Sequence, residues 1–177
     1  MITIRTNKIH TFNQNSYNKL IYCIQFNCIT CSCGHSATLI KHGYYNRYLK
    51  VSAGIKERLS ILRVKCSFCG KTHAVLPDII VPYSQVSIND QIIIIDNSIN
   101  RKSQNEVMNN NPLIDESNIS YILRNFRKVW SQKLLSHKIS VNINTGELIN
   151  RCFKSFSRQF MQIKYTVNIL FTPTHIT

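Results

Sequence analysis

Seven cysteines stand in this 177-residue chain, and six of them fall into two clusters: 23, 28, 31 and 33, then 66 and 69, with Cys152 alone. A thiolate is a soft metal ligand, and two of them a short step apart can wrap a single ion. Cys66-Ser-Phe-Cys69-Gly70 has that form, with a glycine after the second sulfur to relieve the tight turn. In Asn27-Cys28-Ile-Thr-Cys31-Ser-Cys33-Gly34-His35 two pairings are open. Cys28/Cys31 has the regular spacing, whereas Cys31/Cys33 repeats the following glycine seen at Cys69-Gly70. The glycine match favours Cys31, Cys33, Cys66 and Cys69 as ligands of one structural Zn2+, with Cys28 as the substitute for Cys31. Four thiolates leave no open position for water, so the site is read as structural rather than catalytic. His35, His42 and His73 are weaker candidates, because a histidine in a basic hairpin is more often a surface or core residue.

For one ion to meet all four sulfurs, the chain between the clusters must double back. Residues 37–42, then 44–51 after Gly43, the turn Ser52-Ala53-Gly54, 55–65 and 72–76 read as strands of a small antiparallel sheet. Leu59 and Ile61 face one way and Leu62 and Val64 the other, which predicts a bulge or burial on both sides. Ahead of the sheet, Leu20, Ile21 and Ile24 suggest a short helix within residues 16–27. Pro77 and Pro82 bracket a connector. Beyond it Ser87 caps a helix with the stripe Ile88, Ile92, Ile95 and Ile99. A polar helix around residues 103–108 ends at Asn111-Pro112. A third starts at Asp115 or Ser117 and carries Ile119, Ile122, Phe126, Val129 or Trp130, and Leu134. A fourth, about 147–164, places Leu148, Cys152, Phe156 and Phe160 at successive i+4 steps, and residues 166–177 read as extended. The expected class is α+β: an N-terminal zinc-ribbon-like antiparallel β-sheet followed by a helix-turn-helix-like α-helical region, divided as 1–83, 84–137 and 138–177.

The formal charge of +14 is unevenly placed. Eleven cationic side chains stand against one carboxylate in residues 1–77, two against six in 78–120, and nine against one in 121–177. Such basic ends favour a polyanionic partner, here double-stranded DNA. On the third helix Tyr121, Arg124, Asn125, Arg127 and Lys128 mix cationic and hydrogen-bonding groups suited to phosphates and base edges. Arg47, Lys50, Arg58, Arg63 and Lys65 lie on the sheet among Tyr44, Tyr45 and Tyr48, a surface that would add affinity without choosing sequence. No apolar run, Ile92 to Ile95 included, approaches the roughly 20 residues of a membrane span. The N-terminus Met1-Ile-Thr-Ile-Arg lacks an apolar leader core, so a cytoplasmic location is expected, where clustered thiols bind metal rather than form disulfides.

Cys31-Ser-Cys-Gly-His-Ser, Leu39-Ile-Lys-His-Gly-Tyr-Tyr-Asn-Arg47, Ile61 through Pro77 and Val81-Pro-Tyr-Ser84 resemble a family of small bacterial proteins common in clostridia that carry a domain of unknown function. The likeness extends to 158–164 and 168–177. That family is similar to the N-terminal zinc-ribbon and helix-turn-helix part of insertion-sequence transposases. The resemblance implies a DNA-binding accessory or regulatory protein of a mobile element, working with a separate transposase or recombinase chain. A transposase core needs converging metal-binding carboxylates, and the eight acids here are scattered, so no catalytic residue is assigned. The alternatives are a docking adaptor for a recombinase and a metal-dependent nuclease using His42, His73 and Asp78.

Overall fold

The computed structural model describes residues 1–6, 12–51, 54–163 and 169–171. Two compact units share the chain: residues 1–48, 58–78 and 166–177 make one, and residues 49–57 with 79–165 make the other. The class is α+β, a sheet followed by helices. Residues 52–53 of the expected turn, Lys164 and most of the expected extended tail lie outside the described residues.

β1 (Ile2–Ile4), β2 (Leu39–Val51), β3 (Ile55–Cys66), β4 (Thr72–Pro77) and β5 (Ile169–Phe171) form a sheet in the order β2-β3-β4-β1-β5, which belongs to the first unit except for residues 49–51 of β2 and 55–57 of β3. The antiparallel β3–β4 pair, with Val64 opposite His73, is the expected arrangement. The sheet as a whole is mixed, because β1 pairs parallel to β4 and to β5. Ile2 and Ile4 are fully buried, so the apolar N-terminus is a core strand. Gly43 does not break β2 as its sequence suggests. Its φ of +145° is one that only glycine adopts readily, so the strand continues through it. Helix α1 (Gln14–Tyr22), capped by the Asn13 side chain, is shorter than expected and is followed by a 3-10 turn at Phe26–Cys28. It buries Tyr17 and Leu20. The Tyr17 hydroxyl donates to Val75 O at 2.9 Å and accepts from Leu62 N at 2.8 Å, which ties helix to sheet. Burial raises the Tyr17 phenol well above its ordinary range. Leu59, Ile61, Leu62 and Val64 are all fully buried, so the broken alternation of β3 reflects burial on both faces.

The second unit is helical. Helix α2 (Ile88–Ile99) starts at Ser87, whose hydroxyl accepts from Asp90 N at 3.1 Å. Its buried face runs Ile88, Gln91, Ile94, Ile95 and Asn97, while Ile99 is exposed, so the expected stripe is rotated. Gln91 is admitted because its amide donates to Val86 O and Ser84 Oγ. Helix α3 (Asn105–Asn110) leads through Asn111-Pro112 to Asp115, which caps α4 (Glu116–Asn125) by accepting from Asn118 N at 2.8 Å. The helix continues as a π segment, Phe126–Trp130, and as α5 (Ser131–Ser136). Ile122, Phe126, Trp130 and Leu134 recur every four residues, which would drift about 40° per step around a 3.6-residue helix. The widened turn takes up that drift and keeps all four side chains buried. Helix α6 (Thr145–Phe156) stops eight residues before the expected end, because Ser157 takes the left-handed conformation. Leu148, Cys152 and the later Phe160 nevertheless reach one core with Ile94, Ile122 and Trp130. Among the described residues, no helix is long and apolar enough to cross a membrane.

Candidate metal centre and cationic faces

Cys31 and Cys33 lie in the loop before β2, Cys66 ends β3, and Cys69 lies in the turn before β4. Each loop folds into a knuckle by local hydrogen bonds. Gly34 N donates to Cys31 O and Cys31 N to His35 O, both at 2.9 Å. Gly70 N donates to Cys66 O at 3.0 Å, and Cys66 N to Lys71 O at 2.9 Å. Gly34 and Gly70 have φ values of +91° and +72°, the region that favours glycine, which is the requirement their positions announce. The knuckles are joined by Ser67 N donating to Thr38 O at 2.8 Å and by His35 stacked on Phe68 with ring centres 3.5 Å apart.

These turns bring the sulfurs of Cys31, Cys33, Cys66 and Cys69 within 4.8 Å of one another. Cys31 Sγ is 3.7 Å from Cys69 Sγ, and Cys33 Sγ is 3.8 Å from Cys66 Sγ. A tetrahedral ion with metal–sulfur bonds of about 2.3 Å requires sulfur–sulfur edges of about 3.8 Å, so the four thiols fit such a metal. They are too far apart for disulfides, whose sulfurs stand at about 2.05 Å. Cys28 is exposed, with its thiol toward Gln25, and lies outside the cluster. The choice between the two first pairs therefore falls on Cys31 and Cys33.

The thiols do not ionise alike. Hydrogen bonding with Thr38 Oγ1, 3.1 Å from Cys66 Sγ, and then with the Cys69 amide pulls the Cys66 thiol down to about 6. The His35 backbone pulls Cys33 down, but burial and the Cys31, Cys69 and Cys66 thiols outweigh it and push Cys33 up to about 11. Four sulfurs this close cannot all carry charge without a cation among them, and a divalent ion removes that repulsion.

His73 is buried beside the cluster, with Nε2 3.4 Å from Cys31 Sγ. Its other nitrogen faces the Met1 amine at 3.1 Å, and burial, then that ammonium and Lys71, lower the imidazole to about 4. A neutral imidazole donating through Nε2 would steady the Cys31 sulfur. The sequence flags His73 only as a possible ligand, since its place opposite Val64 depends on strand register. Thr38 carries no sequence signal at all. His42 lies on the exposed side of β2, and Asp78 is buried, accepting from Thr6 N and Thr6 Oγ1. Among the described residues, the cysteine cluster is the one group of three or more His, Cys, Asp or Glu gathered at ligand distance, so His42, His73 and Asp78 do not converge.

The cationic residues separate by environment. In the first unit Arg58 and Arg63 are exposed and Lys65 is half-buried. Arg47 is half-buried, and desolvation lowers its guanidinium, with Tyr45 bonding to it in partial compensation. In the second unit Lys50 is engaged internally: its ammonium donates to Leu113 O and Asn118 Oδ1, each at 2.6 Å. On α4 and the π segment, Tyr121, Arg124, Arg127 and Lys128 are exposed and Asn125 is half-buried. The Arg124 guanidinium lies over the Tyr121 ring at 5.6 Å. Ser120, Leu123, Arg124, Arg127 and Lys128 line an open cavity of about 510 Å³.

Residues 28–119, a little over half the chain, match a family model described as Domain of unknown function (DUF6431). No curated protein and no solved structure matches the chain.

Proposed function

The chain belongs to the DUF6431 family, and we propose that it is a zinc-stabilised module that binds double-stranded DNA. It would serve as an accessory or regulatory protein of a mobile element rather than as a catalyst on its own. Zinc is the metal chosen by four thiolates in tetrahedral spacing, and it would stiffen the knuckles without taking part in chemistry. Cys31, Cys33, Cys66 and Cys69 would hold it.

The observation that carries the DNA reading is the outward face of α4 and the π segment. Arg124, Arg127 and Lys128 share it, exposed, and none has an acidic partner among the described residues. Uncompensated cations on one helical face attract phosphates, and Tyr121 and Asn125 beside them offer hydrogen bonds to base edges. The order α2, α3, a short turn at Asn111–Asp115, then a long third helix agrees with a helix-turn-helix, in which that last helix enters the major groove. The resemblance to transposase N-terminal regions would suit such a module working beside a separate recombinase chain. The scattered acids agree with a non-catalytic role.

Duplex binding measured against salt tests this. Each phosphate contact contributes about 0.9 to the log–log slope, so several contacts give a steep loss of affinity. Arg124→Ala and Asn125→Ala are expected to relax sequence preference by about 1–3 kcal/mol at the bases they touch. Absence of duplex binding at low salt, or an α4 variant indistinguishable from the parent on every sequence, would refute the reading.

A further inference from the structure

We infer that Arg124 reads guanine in the major groove and that Tyr121 is the positioning residue that holds its guanidinium for that task. The inference rests on the duplex-binding role of α4 and names the base that this helix selects. A helix turns about 100° per residue, so Ile122 and Phe126, two residues to either side, stand about 160° around it from Arg124. Both are buried in the core of the second unit. Arg124 therefore projects directly away from that core, and it is exposed. Ser120, Arg127 and Lys128 stand about 40–60° off this line and are exposed too. With Leu123 these four line the open cavity of about 510 Å³. A helix laid in a groove with its core side outward pushes the residue opposite the core deepest and turns its flanks toward the walls. The floor of the groove carries base edges, and the walls carry phosphates.

The chemistry of Arg124 selects the base. A guanidinium carries donors and no acceptor, set in a planar fork. Guanine presents two neighbouring acceptors, O6 and N7, on its major-groove edge, whereas adenine sets a donor beside its one acceptor. Reading both acceptors at once requires the fork to be held in place. Tyr121, three residues earlier and so on the same side of the helix, supplies that support. Its ring centre is 5.6 Å from the guanidinium carbon, within the range of a cation–π contact. The ring is itself seated: it is 40% exposed, and with Pro82, Tyr83 and Asn125 it lines a narrow cleft of about 10 Å³. Acid does not compete nearby along the helix, because Glu116 is the one carboxylate in residues 116–136. It stands eight residues ahead of Arg124, about 12 Å along the axis. Arg127 and Lys128, on the flanks, suit phosphates, which ask for charge more than for orientation.

The full-length protein should be used to select from a pool of random-sequence duplexes, and the enriched duplex then compared with versions changed one base pair at a time. One position is expected to prefer guanine over every other base by about 5-fold to about 150-fold. Arg124→Lys keeps the charge and loses the fork, so it should erase that preference while affinity for random duplex and its salt slope stay within about 2-fold. Tyr121→Phe keeps the ring and should keep the preference. Tyr121→Leu keeps apolar bulk without the ring and should reduce the preference about 2-fold to about 5-fold, with circular dichroism unchanged. A Tyr121→Phe variant that loses as much as Tyr121→Leu would assign the effect to the hydroxyl and overturn the positioning role. Salt-dependent duplex binding with no guanine-preferring position, or a guanine preference that survives Arg124→Lys, would overturn the inference and leave duplex binding by α4 standing. Absence of duplex binding at low salt would instead refute the duplex reading, and this inference with it.

Discussion

Around the four sulfurs the chain makes two turns whose other residues, such as Gly34, His35, Ser67, Phe68 and Gly70, are largely exposed. Around Trp130 the surroundings are the opposite. The indole is fully buried, with Phe156 and Phe160 edge-on at 5.7 and 5.3 Å and Ile94, Ile95, Ile122 and Leu148 in the same core. Apolar burial stabilises the second region at about 25 cal/mol per Å2, whereas the knuckles have little apolar surface to bury. The contrast teaches that coordination must do at the knuckles what packing does around Trp130.

The largest expected effect breaks the metal side of the contrast. Cys66→Ser should abolish stoichiometric zinc, one ion per chain in the parent, and unfold the first unit, since structural zinc contributes about 10–16 kcal/mol in small sites. Trp130 is the chain's single tryptophan and lies in the second unit, so its emission should be unchanged. Elemental analysis together with tryptophan fluorescence reads both. A parent protein that holds no zinc after purification without chelators would defeat the assignment. Retention of zinc by Cys33→Ser and its loss from Cys28→Ser would move the ligand set.

Next comes the packing side. Trp130→Ala should cost about 3–5 kcal/mol in denaturant melts followed by helical circular dichroism, while zinc content stays at one per chain. Loss of zinc in this variant would mean that the two modes of support are not separate. The smallest effect asks how far the first unit relies on anything besides metal. Tyr17→Phe leaves Leu62 N and Val75 O unpaired in a buried place, so with zinc bound it should cost about 1–3 kcal/mol. A melt identical to the parent's would show that coordination alone sets the stability there.

Much of the site was legible because its signals are short-range. The spacing Cys66-Ser-Phe-Cys69-Gly70 and the glycine after Cys33 state a backbone requirement, and Gly34 and Gly70 meet it at positive φ. The same holds for Ser87 and Asp115, whose side chains can only reach the amides three residues on. Where a helix stripe was clean, as from Ile119 to Leu134, the buried face followed from geometry alone. Other features needed partners distant in the chain. Ile2–Ile4 is too short to show a period, and its place in the sheet depends on Val75–Pro77 and on β5. His73 meets Cys31 across 42 residues, and Lys50 meets Asn118 across 68, so neither role is written near either residue. Gln91 displaced an expected isoleucine from the buried face because Val86 O and Ser84 lay within its reach. Sequence by itself determined what local sterics and ligand spacing dictate: the two knuckles, the caps and the principal stripe. Tertiary structure alone decided which polar groups are consumed inside the fold and which, like Arg124 or Tyr44, are left facing water, because desolvation and pairing are settled only when distant segments meet.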